Sequence, residues 1–124
     1  MEDKFLRVSD SFEIGYMADS IGNHKQYMHI HSVDELVIVG TGCSTIITSD
    51  KIYKAQGAYA IFYPAGQMHQ QLNSRSQIYL RHCIRYDRAL TDSLPPDIVP
   101  RSFFVLPLDE RELAKLRPYL ELMI

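Results

Sequence analysis

Three histidines and one glutamate are the residues of this chain whose types and spacing could do chemistry. His29 and His31 stand two positions apart, Glu35 follows one short turn later, and His69 comes from a distant segment. On a β-strand, residues at i and i+2 point to the same face, so both imidazoles of the pair can reach one point. Three neutral imidazoles and one carboxylate suit Zn, Fe, Ni, Cu or Mn. The sequence therefore predicts a divalent transition-metal site at these four residues.

Short strands must position these residues. From Phe12 to Tyr86, short runs of alternating or β-branched residues are separated by turn signals, which is typical of an all-β sandwich or barrel. A hairpin is predicted at Ser49–Lys51 and a barrel over residues 10–87. Three prolines in Asp87–Arg101 indicate an exposed linker. Ser102–Leu108 could form one more strand.

The C-terminal residues predict a helix from about Glu110. Asp109 with Glu112 three positions on is a helix-start signature. Pro118 should kink this helix or start a second one. One apolar stripe at helical spacing either packs on the barrel or forms a dimer seam, and it comprises Leu113, Leu116, Leu120 and Met123.

Bulk properties describe one ordinary domain and exclude several classes of function. The chain has 124 residues and a net charge of −2, without a long basic run, so it lacks an electrostatic footprint for nucleic acid. It has no apolar run long enough to span a membrane and no secretion signal. Two cysteines, Cys43 and Cys83, are too few for a disulfide framework. We expect two reduced thiols in a cytoplasmic protein.

Two ordered motifs resemble those of the cupin superfamily. Residues 29–42 follow the pattern H-x-H-x3-E-x6-G, and residues 64–73 follow P-x-G-x2-H-x3-N. The resemblance covers roughly Gly22–Asn73, with single extra residues ahead of His29 and of Pro64. It implies an all-β, cupin-type double-stranded β-helix, that is, a jelly-roll barrel, whose motif residues line the mouth of a central pocket.

The order of the elements resembles the N-terminal regulatory domain of AraC-family transcription regulators. A barrel, a proline-bearing linker and leucine-rich helices follow one another. The resemblance implies a sensory barrel with linker over residues 1–101, and the last strand plus the start of dimerisation helices over residues 102–124. It also implies a small-molecule effector and a homodimer. DNA would be bound only through a helix-turn-helix domain absent from these residues.

Several side chains are candidates for the effector pocket. The first set is His29, His31, Glu35, His69 and Tyr63. Tyr27, Tyr59 and Tyr79 could also line it, although core packing is the favoured interpretation for any single tyrosine. Arg81 and Arg85 share a strand face and could clamp a carboxylate or phosphate, but a solvated outer face is favoured for them. His24 and His82 are interpreted as structural or surface residues.

Other functions stay open at this point. The histidines and Glu35 could form a hydrogen-bonded polar cluster that contacts an organic effector without a metal. The chain could also be a stand-alone cupin metalloenzyme, such as a dioxygenase or isomerase, or a non-catalytic binding cupin. No distinct acid/base pair accompanies the motifs, so no catalytic residue is assigned and the enzyme interpretation is the less favoured one.

Overall fold

Nine strands and one α-helix form the described part of the chain. The computed structural model describes residues 2–9, 12–19, 28–74, 78–95 and 97–123. The strands are β1 (Glu2–Ser9), β2 (Phe12–Asp19), β3 (Asp34–Thr41), β4 (Cys43–Thr48), β5 (Ile52–Gln56), β6 (Tyr59–Tyr63), β7 (His69–Asn73), β8 (Tyr79–Tyr86) and β9 (Phe104–Pro107). A 3-10 turn (Arg88–Leu90) follows β8, and α1 (Glu110–Met123) follows β9. The predicted strand-rich region and C-terminal helix are confirmed.

The strands form two antiparallel sheets. One has six strands in the order β1-β2-β8-β3-β6-β9, and the other has three in the order β5-β4-β7. Within the described ranges, strand pairing does not close the two sheets into one continuous barrel. The segment before β3 instead bridges to β7 through His29 and His69, which connects the sheets at one end.

The core lies between the two sheets because alternate residues of each strand face inward. Its members come mainly from β3, β6 and β8, with Ile46 contributed by β4, and they are Val37, Val39, Ile46, Tyr59, Ile61, Tyr63, Tyr79 and Cys83. β6 is buried at all five positions, on its outer face as well as its inner one. Phe62 packs there on Phe104 with ring centroids 5.8 Å apart. This double burial explains why β6 is a continuous apolar run.

Local sequence signals account for the turn and the helix start. The Thr48 amide donates to the Lys51 carbonyl at 2.9 Å, which closes the predicted hairpin. At the helix start, the Glu112 amide donates to Asp109 Oδ1 at 2.7 Å and the Asp109 amide donates to Glu112 Oε1 at 3.1 Å. This reciprocal pair is a capping box.

The C-terminal region bears on two predictions. Pro118 does not start a second helix, since one helix, α1, runs through it. Proline removes a single backbone hydrogen bond here, and the burial of Leu120 on the rest of the chain helps to hold the helix in place. The linker is mostly exposed, as predicted, and it is also anchored, because Val99 is buried and Arg101 donates to the Thr91 carbonyl.

The remaining sequence expectations concern the two cysteines, a few residues outside the described ranges, and membrane-spanning segments. Cys43 and Cys83 are free thiols, as expected. His24, Tyr27 and the side chain of Met123 lie outside the described residues. Within the described ranges, no helix has both the length and the apolar character needed to cross a lipid bilayer.

Candidate functional site

Backbone pairing brings the two histidine motifs together. The His29 amide donates to the His69 carbonyl at 2.9 Å, and the His69 amide donates back to the His29 carbonyl at 3.0 Å. Residues directly opposite in an antiparallel pair share a face, and His31 shares that face because it is two positions from His29. The Gly66 amide also donates to the His31 carbonyl at 2.9 Å, which ties the second motif's turn to the first motif.

The three imidazoles converge on one point. One nitrogen from each of His29, His31 and His69 lies within 4.8 Å of the other two. The Nε2 atoms of His29 and His31 are 3.0 Å apart. His69 is almost fully buried, and the other two rings are half-buried. The cluster is therefore open to ligand from one side and closed on the other.

The protonation state of His69 is set by its surroundings. Its Nδ1 lies 2.9 Å from the Gln67 carbonyl, which can only accept, so Nδ1 carries the hydrogen. Burial lowers the pKa of His69 to about 4, so the ring is neutral near pH 7 and its Nε2 lone pair is available to the cluster. Burial also lowers the pKa of His31, although the neighbouring Glu35 opposes this. Neutral imidazoles are the form that binds metal.

The donor set fits a transition-metal ion. Two nitrogens bound to one zinc ion at about 2.0–2.1 Å each lie about 3.0–3.5 Å apart. The Nε2 atoms of His29 and His31 are already 3.0 Å apart, and a ring nitrogen of His69 lies within 4.8 Å of a ring nitrogen of each. The hydrogen bond from His69 to Gln67 is the kind of outer contact that orients a metal-ligating imidazole. The cluster is thus compatible with a metal site of three histidines.

Glu35 lies beside the cluster but faces other partners. Its Oε2 is 3.9 Å from His31 Nε2, and its Oε1 is 4.0 Å from His69 Nε2. The same Oε2 accepts from Arg85 Nε at 2.5 Å and from the Cys83 thiol at 3.2 Å. Burial alone would raise the pKa of Glu35, but the charge and hydrogen bond of Arg85 outweigh it and the pKa is lowered. Glu35 is an ionised neighbour of the three histidines and is held by Arg85.

Arg85 is the site residue that the sequence interpretation misplaced. A solvated outer face was the favoured expectation, yet Arg85 lies on the inner face of β8, beside Glu35. The alternation of β8 contained the signal, because Arg81 and Arg85 share a face with Tyr79 and Cys83, which belong to the core. On this face Arg81 lies between Tyr79 and Cys83, and Arg85 follows Cys83.

Tyr63 and Tyr79 are anchored in a buried polar network. The Tyr63 ring stacks on His69 with centroids 3.8 Å apart and planes 14° apart, so it fixes that imidazole. Its hydroxyl donates to Gln71 Oε1 at 2.9 Å, and Gln71 Nε2 donates to the Tyr79 hydroxyl at 2.9 Å. Burial raises the pKa of both tyrosines, which keeps them protonated. Tyr59 bonds Ser44 in the same region. These tyrosines support the site and pack in the core.

A cavity of about 150 Å³ adjoins the cluster on the other side of Arg85. Among the residues whose side chains the structure describes, those that line it are Glu13, Gly15, Arg81, Cys83 and Arg85. Glu13 and Gly15 were not singled out from the sequence. They reach the cavity because β2 pairs with β8, which places Glu13 opposite Arg85 and Gly15 opposite Cys83. Arg85 therefore both lines the cavity and holds the Glu35 carboxylate.

Comparison with known proteins identifies the fold. No protein-family model matches the sequence, and no curated protein matches it significantly. Among solved structures, an RmlC-like cupin family protein with a double-stranded β-helix fold from Methanocaldococcus jannaschii has a TM-score of 0.58 at 13% identity, over 69% of this chain and 79% of that one. A cupin 2 conserved barrel domain protein from Salinispora arenicola has a TM-score of 0.57 at 19% identity, over 73% and 78%.

A third similar structure gives the same result. A cupin superfamily protein from Desulfitobacterium hafniense has a TM-score of 0.57 at 16% identity, over 69% of this chain and 76% of that one. At such identities a structural likeness speaks for the fold alone. The resemblance inferred from the histidine motifs is confirmed at this level: the chain has the antiparallel fold of the cupins, with an added C-terminal helix.

Proposed function

We propose that this chain is the effector-binding and dimerisation domain of an AraC-type transcription regulator that works in the cytoplasm. In this proposal a small effector binds beside the histidine cluster, and helix α1 supplies self-association. DNA is bound by a helix-turn-helix domain outside these residues. The cupin-type fold, the linker and the helix that follows it support this arrangement.

One observation carries the proposal, namely that adjacent carboxylates connect the site to the linker. Glu35 faces the interior and is held by Arg85 of β8. Asp34, the preceding residue of β3, faces the other side of the sheet and is fully buried. Arg88, in the 3-10 turn at the start of the linker, donates to both Asp34 oxygens at 2.9 and 3.2 Å.

Asp34 also holds the turn that leads to the third histidine. Its Oδ1 accepts from the Ala65 amide at 2.7 Å, and Ala65 belongs to the turn that precedes His69. A shift of β3 or of this turn therefore reaches Arg88, and through it the segment that leads to α1. An effector that contacts Arg85 or the histidines can thus bias the docking of the linker.

The mechanism is a population shift. The effector must interact differently with two arrangements of the linker and helix, because a ligand with equal affinity for both shifts nothing. Arg85 is well placed for such a difference, since a ligand anion in the cavity competes with Glu35 for its charge. Competition loosens the hold of β8 on β3, next to Asp34.

His29, His31 and His69 would hold a divalent metal in this proposal, with Zn, Ni, Fe or Mn as candidates. Such an ion would supply positive charge and open coordination positions for an oxygen-bearing ligand. Glu35 would balance the charge from its place beside the cluster. A stand-alone metalloenzyme is less well supported, because the carboxylate that could act as acid or base is engaged by Arg85.

The dimer surface is proposed on the outward side of α1. Leu120 is buried on the chain itself, and Leu113 and Leu116 are half-buried, so most of the predicted stripe is covered. Tyr119 and Leu122 are instead 66% and 85% exposed, one turn apart on the same helix. Exposed apolar pairs of this kind mark contact surfaces when they are contiguous.

A fusion reporter tests the proposal. The chain is fused to a DNA-binding domain that represses a reporter only when dimerised, and sedimentation of the unfused chain is measured in parallel. We expect repression and a concentration-dependent dimer, both lost in Leu122→Lys and kept in Arg117→Ala, an exposed change on the other side of α1. A chain that neither represses nor self-associates at high concentration would contradict the dimerisation role.

A further inference from the structure

We propose that Arg81 and Arg85 form a binding subsite for the carboxylate of a small organic acid in the partly open cavity beside the histidine cluster. This inference rests on the proposed function, because it names the chemical class of the effector. The subsite is distinct from the three imidazoles. It is built by β8 and β2, and it touches the cluster only through the contact of Arg85 with Glu35.

Both guanidinium groups have donors to offer. Arg81 is half-buried and lines the cavity, and its guanidinium makes no hydrogen bond or ion pair with the described side chains. Arg85 donates to Glu35 through Nε, and its Nη atoms bond no residue of those ranges. A guanidinium presents paired N–H groups in a planar fork that matches a carboxylate. An anion in this cavity would satisfy donors that the protein itself leaves unused.

A glycine of β2 leaves space beside the Cys83 side chain. Gly15 is the residue of β2 opposite Cys83, so the two share a face of the sheet. Because glycine has no side chain, the space between Glu13 and Arg81 stays open and forms the cavity. The Cys83 thiol is buried and protonated, since burial raises its pKa to about 12, so it adds no negative charge to the floor of the cavity.

Size and charge select the ligand class. A cavity of about 150 Å³ in another protein is large enough for benzene, so this one suits a compact body of about that size. Glu35 already balances Arg85, which leaves Arg81 as the principal charge for a ligand. Glu13 lines the same cavity with a carboxylate and opposes a second negative charge. A monocarboxylate therefore fits better than phosphate, which carries more than one negative charge on average near neutral pH.

Calorimetric titration of the purified chain tests the subsite, with benzoate, benzamide and inorganic phosphate as probes. The chain is first treated with EDTA, which is then removed by dialysis, so that no probe binds through a metal ion and no chelator carboxylate competes for the subsite. We expect benzoate to bind at least tenfold more tightly than benzamide, which has the same shape without the charge. Arg81→Gln should weaken benzoate binding at least tenfold, and Arg117→Gln, an exposed arginine on α1, should leave it unchanged.

Further variants keep the test decisive. Arg81→Lys retains the charge but loses the fork, and it should weaken benzoate binding several-fold; it replaces Arg81→Gln if that variant does not fold by circular dichroism. Glu13→Gln should strengthen binding, because it removes the opposing carboxylate. Equal affinities for benzoate and benzamide, tighter binding of phosphate, full affinity in both Arg81 variants, or no binding of any probe would each overturn the subsite.

These outcomes are separable from those of the fusion reporter. Reporter repression without benzoate binding would overturn the subsite and leave the regulator proposal standing. Benzoate binding that depends on Arg81, without any self-association of the chain, would leave the subsite standing and overturn the dimerisation role.

Discussion

Replacing Arg85 with glutamine removes the cation that holds the buried carboxylate of Glu35. The Glu35 side chain is 6% exposed and the Arg85 side chain is 38% exposed. Breaking a fully buried ion pair by removing one partner costs about 3–5 kcal/mol, whereas exposed pairs contribute about 1 kcal/mol or less. Because Arg85 is more than one third exposed and the Cys83 thiol still donates to Glu35, we expect Arg85→Gln to lower the free energy of unfolding by about 2 kcal/mol at pH 7.

The loss should depend on pH in a defined direction. The pKa of Glu35 is lowered below its ordinary value of 4.5, so the stabilisation from the pair is fully present above that value and is lost as pH falls through the folded-state pKa. Without Arg85, burial should raise the pKa of Glu35. The variant then regains stability relative to the wild type as pH falls from 7 towards 5, and the difference between the two shrinks.

Urea unfolding at pH 7 and pH 5 measures both effects. The chain has eight tyrosines and no tryptophan, so far-UV circular dichroism and tyrosine fluorescence are the signals. EDTA excludes any contribution from bound metal. Arg117→Gln is the control, and Glu35→Gln with the double variant completes a cycle whose coupling free energy should be about 1–2 kcal/mol. A loss no larger than that of Arg117→Gln, or a loss independent of pH, would refute the role given to this pair.

Three further predictions concern the cluster, the core and the turn. His69→Ala should weaken zinc binding by calorimetry at least about 100-fold, with His82→Ala as an unchanged control, because changes to the outer contacts of a metal site alone cost about 10–100-fold. Phe62→Ala should lower the free energy of unfolding by about 3–4 kcal/mol in urea, since Phe62 is fully buried. Gly66→Ala should cost about 1–2 kcal/mol, because its φ of 84° disfavours a side chain, and should also weaken zinc binding through the contact with His31. Unchanged zinc affinity in His69→Ala would remove that residue from the proposed site.

The sequence by itself determined the local structure and the histidine set. Alternating residues predicted the strands, and the Asp109 and Glu112 pair predicted the start of α1. Two motifs predicted that His29, His31, Glu35 and His69 meet; the three histidines do, whereas Glu35 lies beside them and is held by Arg85. The strand, cap and histidine predictions succeed because side-chain direction along a strand has a period of two, and because caps and turns depend on a few adjacent residues. Pro118 shows the limit of such rules, since α1 continues through a residue that removes a backbone hydrogen bond.

Only the tertiary structure decided what surrounds the histidines. Strand β8 lies between β2 and β3, neither of which is its neighbour in sequence, and this order puts Arg85 against Glu35 and Glu13 opposite Arg85. The alternation of side chains along a strand predicts which residues share a face, but it does not predict which face is interior or which strand lies alongside. Those choices depend on burying the apolar face of the whole sheet, which is a property of many distant residues together. The partner of Glu35, the cavity at Gly15 and the connection through Asp34 to Arg88 all follow from that long-range packing.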